Sequence, residues 1–279
     1  MDYINYIDGT WEKTSNSYVP LYDSGFLLGD GLFETIRFDN KTLFKPEKHL
    51  IRLYESIDYT DINIQERPKK LLNLLKSIIT KNNLTSGLLR LMVTRGNLKG
   101  APWLFNGPAK IYISIRPLTP IEKKPVKVVF FSENKYPIIR FKPAIKSLNY
   151  LGNMLAKKDA DKLNAYEPVF YNSDGYITEC AIRNIFFIKD NELLTPSLNL
   201  GVLPGVMRDT IIYISKFIGL KQKEINIPYN SINEMDEAFI SSTGIGLLPC
   251  FWDKWNSDFK QTIKIKKHLD DLITNVKGE

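Results

Sequence analysis

Cysteine is nearly absent: Cys180 and Cys250 are the only two in 279 residues. They form neither a redox pair nor a zinc-type pair, and secreted disulfide scaffolds usually carry more. A reducing, cytoplasmic setting is therefore the expectation. Histidine is equally scarce, with His49 and His268 alone. That argues against zinc held by paired histidines and against a Ser-His-Asp triad, so no metal is expected. No apolar run approaches the ~18–20 residues that span a bilayer. The start, Met1-Asp-Tyr-Ile-Asn5, has neither the basic residues nor the apolar core of a signal peptide. The formal charge is +7, yet the basic residues are scattered and lysine far outweighs arginine. Nucleic-acid binding leaves a basic patch, so neither a nucleic acid nor a membrane is expected as partner, while small anionic ligands stay compatible. No Gly-x-x-x-x-Gly-Lys-Ser/Thr loop occurs, and Gly29-Asp-Gly31 is too short for a dinucleotide fingerprint.

What is present suits a two-domain globular chain, since 43% of its residues are hydrophobic and the length exceeds a typical single domain. Residues 3–11 read as a hairpin turning at Asp8-Gly9, and 32–38 as a strand followed by a turn at Asn40-Lys41. Helical spacing recurs over 46–59, opened by Pro46-Glu47, and over 68–81. Strands follow at 88–94 and Lys110–Arg116. Three prolines within 117–125 remove donors and disfavour helix, which marks a linker. The division is thus 1–117, a linker at 118–125, and a second domain at 126–279. Beyond the linker come strands at 126–131, Glu167–Tyr171, 184–188 and 238–242. Helices are expected at 151–163, 206–218 and 263–276. The pattern predicts an α+β class with two domains and mixed sheets.

Several short stretches carry candidate chemistry. Lys146 lies between a proline-punctuated loop and a helix, where desolvation favours the neutral amine that attacks aldehydes; a solvated surface lysine fits the same spacing. Glu179 precedes a strand, where a buried carboxylate can hold a protonated ring nitrogen, or where an exposed turn glutamate can sit. Leu203-Pro-Gly205-Val206-Met207-Arg208 opens a helix whose first amides have no internal acceptor and suit an anion, although Pro-Gly is also ordinary turn chemistry. His49 and Arg52 are three apart and share a helix face. Ser241-Ser-Thr243-Gly244 ends a strand with small hydroxylic residues, suited to an anion or simply to a turn.

The order of these pieces is more telling than any one of them. Asp23-Ser-Gly-Phe-Leu-Leu-Gly-Asp-Gly31-Leu-Phe33-Glu34-Thr35-Ile-Arg37 resembles the amino-terminal signature of the class IV aminotransferases, the fold-type IV pyridoxal-phosphate enzymes. His49-Leu-Ile-Arg52-Leu resembles that family's phosphate-arginine helix. Lys146-Ser-Leu-Asn is similar to its lysine motif as found in D-amino-acid aminotransferases. Tyr176-Ile-Thr-Glu179-Cys-Ala-Ile-Arg-Asn184 resembles its cofactor-ring segment, and Leu203–Arg208 its phosphate loop. The resemblance implies a two-domain, D-amino-acid-aminotransferase-like fold with pyridoxal 5'-phosphate as cofactor. Lys146 would hold it as a Schiff base and act as catalytic base and acid. Glu179 would hold the ring nitrogen, Tyr150 the ring hydroxyl, and Arg52, the Val206 and Met207 amides and Thr243 the phosphate.

The implied reaction passes an amino group between an amino acid, or an amine, and a 2-oxo acid. Phe33, Arg37, Leu88, Arg90, Thr243 and Gly244 fall where the family contacts substrate; either arginine can bind a carboxylate or form a structural ion pair. The chain departs from its subfamilies. Thr35 stands where branched-chain enzymes have glycine, and Leu88 replaces a tyrosine of their carboxylate site. The Arg-x-His trap of the D-amino-acid enzymes is missing from Gly96-Asn-Leu-Lys-Gly. Phe-Glu-Thr and Thr-Glu-Cys also resemble 4-amino-4-deoxychorismate lyases, which eliminate pyruvate to give p-aminobenzoate; that is the alternative activity. Family members are generally homodimers, which makes residues 96–108 a candidate cross-dimer loop.

Overall fold

The structure, a computed structural model, describes residues 2–274. Two compact units divide it. The first holds residues 2–119, Ile145–Asn149 and residues 273–274; the second holds Pro120–Ala144 and Tyr150–Leu272.

In the first unit, strands β1 (Ile4–Ile7) and β2 (Thr10–Lys13) form the expected hairpin, with Asp8 and Gly9 at φ of 42° and 107° in its turn. A short helix, α1 (Ser24–Leu28), precedes β3 (Gly31–Asp39) and β4 (Thr42–Leu43). Helices α2 (Pro46–Thr60) and α3 (Pro68–Asn82) follow, then β5 (Gly87–Thr94) and β6 (Lys110–Arg116). The sheet order is β2-β1-β6-β5-β3-β4. Every pairing within it is antiparallel, so the mixed sheet expected from the sequence does not apply to this unit. Its hairpins pair neighbouring strands antiparallel, while the α2–α3 pair joins β4 to β5 across β3, so those two strands run in one direction without pairing to each other.

Strand alternation divides β3 into two faces. Leu32, Ile36 and Phe38 join Leu89, Leu91 and Val93 of β5 in a core with Leu50, Leu53 and Ile57 of α2 and Leu71, Leu75 and Ile78 of α3. The apolar residues of α2 and α3 recur every three or four positions, so each helix lays one stripe on the sheet. Phe33, Thr35 and Arg37 alternate to the opposite face.

In the second unit the elements are β7 (Val126–Ser132), α4 (Leu151–Lys162), β8 (Glu167–Tyr171), β9 (Tyr176–Cys180), β10 (Asn184–Lys189), β11 (Glu192–Pro196), α5 (Val206–Phe217), β12 (Lys221–Ile225), β13 (Ile227–Pro228), β14 (Glu237–Ser242), β15 (Gly246–Phe251) and α6 (Lys260–Thr274). The nine-stranded sheet runs β12-β11-β10-β14-β15-β7-β8-β9-β13. It is mixed, because β7 pairs in parallel with β8 and β15, and β11 with β12. The helix expected at 263–276 begins one turn earlier; residues 275 and 276 lie outside the described residues. Among the described residues no helix is long and apolar enough to cross a membrane.

Chain position puts Lys146 in the second domain, but its short segment packs with the first unit. Leu32 bridges Ser147 in antiparallel fashion. The Phe33 N–H donates to the Lys146 carbonyl, and the Leu148 N–H to the Gly31 carbonyl, both at 2.9 Å. The segment thereby occupies the edge of β3 that β5 leaves open. Gly31 makes room for it: a Cβ there would stand 2.7 Å from Leu148 Cδ1 and 2.9 Å from the Val93 carbonyl oxygen.

Candidate active site

The antiparallel register sets Lys146 opposite Phe33 and on the same face. Its Nζ lies 4.5 Å from the centre of the Phe33 ring, and the Arg90 guanidinium carbon lies 3.9 Å from that centre. Across β3 and β5, Arg90 pairs with Thr35, and Leu88 with Arg37. Phe33, Arg37, Leu88, Arg90 and Lys146, all named from the sequence, therefore share the sheet face turned away from α2 and α3. Phe33 and Leu88 are buried, Lys146 is half-buried, and Arg90 is exposed. Arg37 meets a carboxylate from its own strand, with Nε donating to Asp39 Oδ2 at 2.5 Å.

Glu34 alternates to the helix side, where it is 1% exposed. It accepts from Arg52 Nε at 2.8 Å and from Arg52 Nη2 at 2.6 Å, with His49 Nδ1 2.7 Å from Oε2. Burial works against the Glu34 charge. The Arg52 guanidinium and the His49 hydrogen bond outweigh it and hold the carboxyl at about 2. Burial pushes the His49 pKa down, against the pull of Glu34. At neutral pH the carboxylate can only accept, so His49 carries its proton on Nδ1 and presents a lone pair on Nε2. That nitrogen is buried without a hydrogen-bond partner among the described residues.

In the second unit, Glu179 lies on β9 and forms an ion pair through Oε1 with Arg140 Nη1, while Oε2 accepts the Leu203 N–H at 3.2 Å. Arg140 also donates from Nε to Glu133 Oε1 at 2.9 Å, and Thr178 Oγ1 donates to the same oxygen at 2.6 Å. Burial works against the Arg140 charge, but Glu179 and Glu133 outweigh it and raise its pKa.

The start of α5 is built around Gly205, its N-cap, which offers no side-chain cap. Val206 and Met207 follow as first-turn residues whose N–H groups have no acceptor within the helix. Asn184 donates from Nδ2 to the Leu203 carbonyl at 3.0 Å, and a Cβ at position 205 would run into Asn184 Oδ1. Opposite Asn184 in the register stands Ser241, whose buried hydroxyl has no hydrogen-bond partner among the described residues. Thr243 and Gly244 form the half-buried turn between β14 and β15. Backbone amides at a helix start, a glycine that keeps the approach clear and nearby hydroxyls suit a phosphate monoester. Tyr150 is the residue before α4 and is half-buried. Among the described residues no group of three or more His, Cys, Asp or Glu is arranged to hold a metal ion.

Comparison with known proteins decides the family. The model for amino-transferase class IV matches residues 31–250. The chain belongs to that family. It is a pyridoxal-5'-phosphate-dependent aminotransferase of fold type IV, acting between an amino acid and a 2-oxo acid. A Methanocaldococcus jannaschii protein, provisionally named a branched-chain-amino-acid aminotransferase, is 30% identical over 98% of this chain and 96% of its own. D-alanine aminotransferase of Listeria monocytogenes is 33% identical over 85% of this chain and 83% of its own. Among solved structures, a branched-chain aminotransferase of Thermoproteus uzoniensis superposes with a TM-score of 0.90 at 20% identity, covering 99% of this chain and 97% of that one. A Legionella pneumophila protein, provisionally named a 4-amino-4-deoxychorismate lyase, gives 0.85 at 24%, covering 93% and 97%. These two likenesses speak for the fold.

Sequence reading missed Arg140, the pairing of Asn184 with Ser241 and the buried partnership of Glu34. In a chain that favours lysine, an arginine inside the proline-broken run before Lys146 was the available signal, because the rigid five-donor fork of a guanidinium suits two carboxylates at once. The period of β3 places Glu34 on its apolar face, which calls for a buried cation nearby.

Proposed function

We propose that the enzyme transaminates an amino acid whose carboxylate meets Arg90, with Lys146 as the cofactor-bearing and proton-moving residue. One observation carries the reading: the antiparallel register that sets Lys146 opposite Phe33, with Arg90 over the same ring. When bound, pyridoxal phosphate supplies an electron-accepting ring that acidifies the substrate α-carbon and carries the amino group between the two halves of the reaction. Lys146 Nζ holds the cofactor at rest. Once free, that amine would take up and hand on the substrate α-carbon proton, a short transfer for a flexible side chain anchored by its backbone on β3.

Glu179 keeps the ring nitrogen protonated, oriented for that task by Arg140 and the Leu203 amide. Arg52, the Val206 and Met207 amides and Thr243 hold the phosphate, and Tyr150 meets the ring hydroxyl. Phe33 and Leu88 give the substrate side chain an apolar contact, while Gly244 and Thr243 offer small groups to it. Arg90 lies over the same Phe33 ring that Lys146 Nζ approaches, which supports it as the carboxylate ligand. We infer a homodimer from the 84% and 80% exposure of Trp103 and Leu104 within residues 96–108. A cytoplasmic setting accords with two buried free cysteines.

The test is a spectral half-reaction scan of the cofactor-loaded enzyme with L- and D-amino acids and (R)-amines. Conversion between aldehyde and amine forms of the cofactor, reversed by a 2-oxo acid, is the expected result. Pyruvate release from aminodeoxychorismate without any acceptor, and no such interconversion, would establish the lyase instead.

A further inference from the structure

Building on the reading of Arg52 as a phosphate ligand, the geometry points to Glu34 and His49 as positioning residues that orient the Arg52 guanidinium for the cofactor's phosphate. A guanidinium carries its donors in one rigid plane. Glu34 grips the Nε edge of Arg52 with both oxygens, at 2.8 and 2.6 Å. His49, three residues earlier on the same helix, holds the oxygen that also accepts from Nη2. The carboxylate is thus clamped from α2 on two sides and anchored on β3, which fixes both the plane and the heading of the arginine. Side-chain exposures of 1%, 1% and 9% for His49, Glu34 and Arg52 leave little room for competing water. An arginine ordered in advance does not charge its ordering against binding.

Stability alone does not account for this cluster. Buried ion pairs seldom outperform apolar residues of similar size. His49 Nε2 is moreover a buried acceptor for which the described residues supply no donor, which adds a cost that an apolar side chain would not. Simple attraction is no explanation either: one ionised carboxylate and one guanidinium cancel, and the imidazole is neutral. Removing Glu34 would add positive charge near an anion. Attraction and positioning therefore make opposite forecasts.

The experiment titrates apo-protein with pyridoxal 5'-phosphate and, separately, with pyridoxal, following absorbance, with inorganic phosphate as competitor. Glu34→Gln keeps the reach and loses the charge; Glu34→Asp keeps the charge and loses the reach. Positioning predicts that each weakens pyridoxal phosphate by about tenfold while pyridoxal changes by less than about twofold. His49→Gln should cost about threefold, again only for the phosphorylated ligand. Inorganic phosphate should compete less well in all three. The proposal is overturned if folded variants keep the wild-type ratio of the two affinities, if both ligands weaken equally, or if Glu34→Gln tightens phosphate binding. Should the Glu34 variants fail to fold, His49→Gln decides by the same ratio. A wild-type protein with no preference for the phosphorylated ligand would instead sink the reading of Arg52, whatever the variants do.

Discussion

Each unit contains one ionic cluster next to the residues assigned to the cofactor, and the two clusters are built in opposite senses. In the first, a single carboxylate, Glu34, serves a guanidinium and an imidazole, and the formal charge is zero. In the second, a single guanidinium, Arg140, serves Glu133 and Glu179, and the formal charge is −1. The first is almost sealed, with Glu34 and His49 at 1% side-chain exposure. The second is more open, at 13–15% for Arg140, Glu133 and Glu179. A sealed neutral cluster suits the task of holding a donor still. An open cluster with surplus negative charge suits a cationic partner such as a protonated ring nitrogen. The same residue types thus divide into scaffold and contact according to stoichiometry and burial.

If that contrast is right, charge removal should harm different properties in the two clusters. Glu179→Gln is expected to lower kcat by about a hundredfold, the scale of losing one preorganised electrostatic partner, with little change in the denaturation midpoint. Glu34→Gln is expected to cost about 3 kcal/mol in urea denaturation, because it leaves a buried guanidinium without its full partner. Equal stability losses in both variants would erase the distinction.

Acid should reveal the sealed cluster next. Glu34 titrates at about 2 instead of its ordinary 4.5, so it stabilises the fold above about pH 4.5 and that contribution is lost as pH falls toward 2, roughly 3 kcal/mol in all. His49 is held below its ordinary 6.5. The unfolded chain therefore takes up that proton first, and stability declines as pH drops below about 6.5. His49→Gln should remove the upper part of this decline and move its onset to about pH 4.5, read from thermal melts across pH. An unchanged profile would contradict the burial argument.

Gly205→Ala should have a smaller effect. The added methyl meets Asn184 Oδ1, and overpacking of this kind costs about 1–3 kcal/mol; pyridoxal phosphate should bind more weakly while pyridoxal is spared. Arg140→Gln should have the smallest effect, a loss of about tenfold in kcat with the preference for the phosphorylated ligand intact. Isothermal titration of both ligands checks each.

These contrasts also explain what the sequence reveals. Long periodic elements are legible: α2, α3, α4 and α5 lie within a residue or two of their expected spans, because apolar stripes and start signals such as Pro46-Glu47 specify them locally. The turns at Asp8-Gly9 and Asn40-Lys41 are legible because few residues accept positive φ. β12, Lys-Gln-Lys-Glu-Ile, escapes notice because it is a largely exposed edge with no alternation to read. α1 is too short for a period to show. At the site, motif order names Lys146, Glu179, Arg52 and the start of α5. Partnerships across the chain stay hidden, since nothing local tells Arg140 that it will face Glu179 from 39 residues away, or Lys146 that its segment will pair with β3.

All of the proposed chemistry passes through the amine of Lys146. Borohydride reduction of the cofactor-loaded enzyme, followed by proteolysis and peptide mapping, tests it directly. The expected result is a single reduced pyridoxyl label on Lys146 and loss of the yellow chromophore. A label on another lysine, or a cofactor-supplemented protein that never turns yellow, would contradict the account.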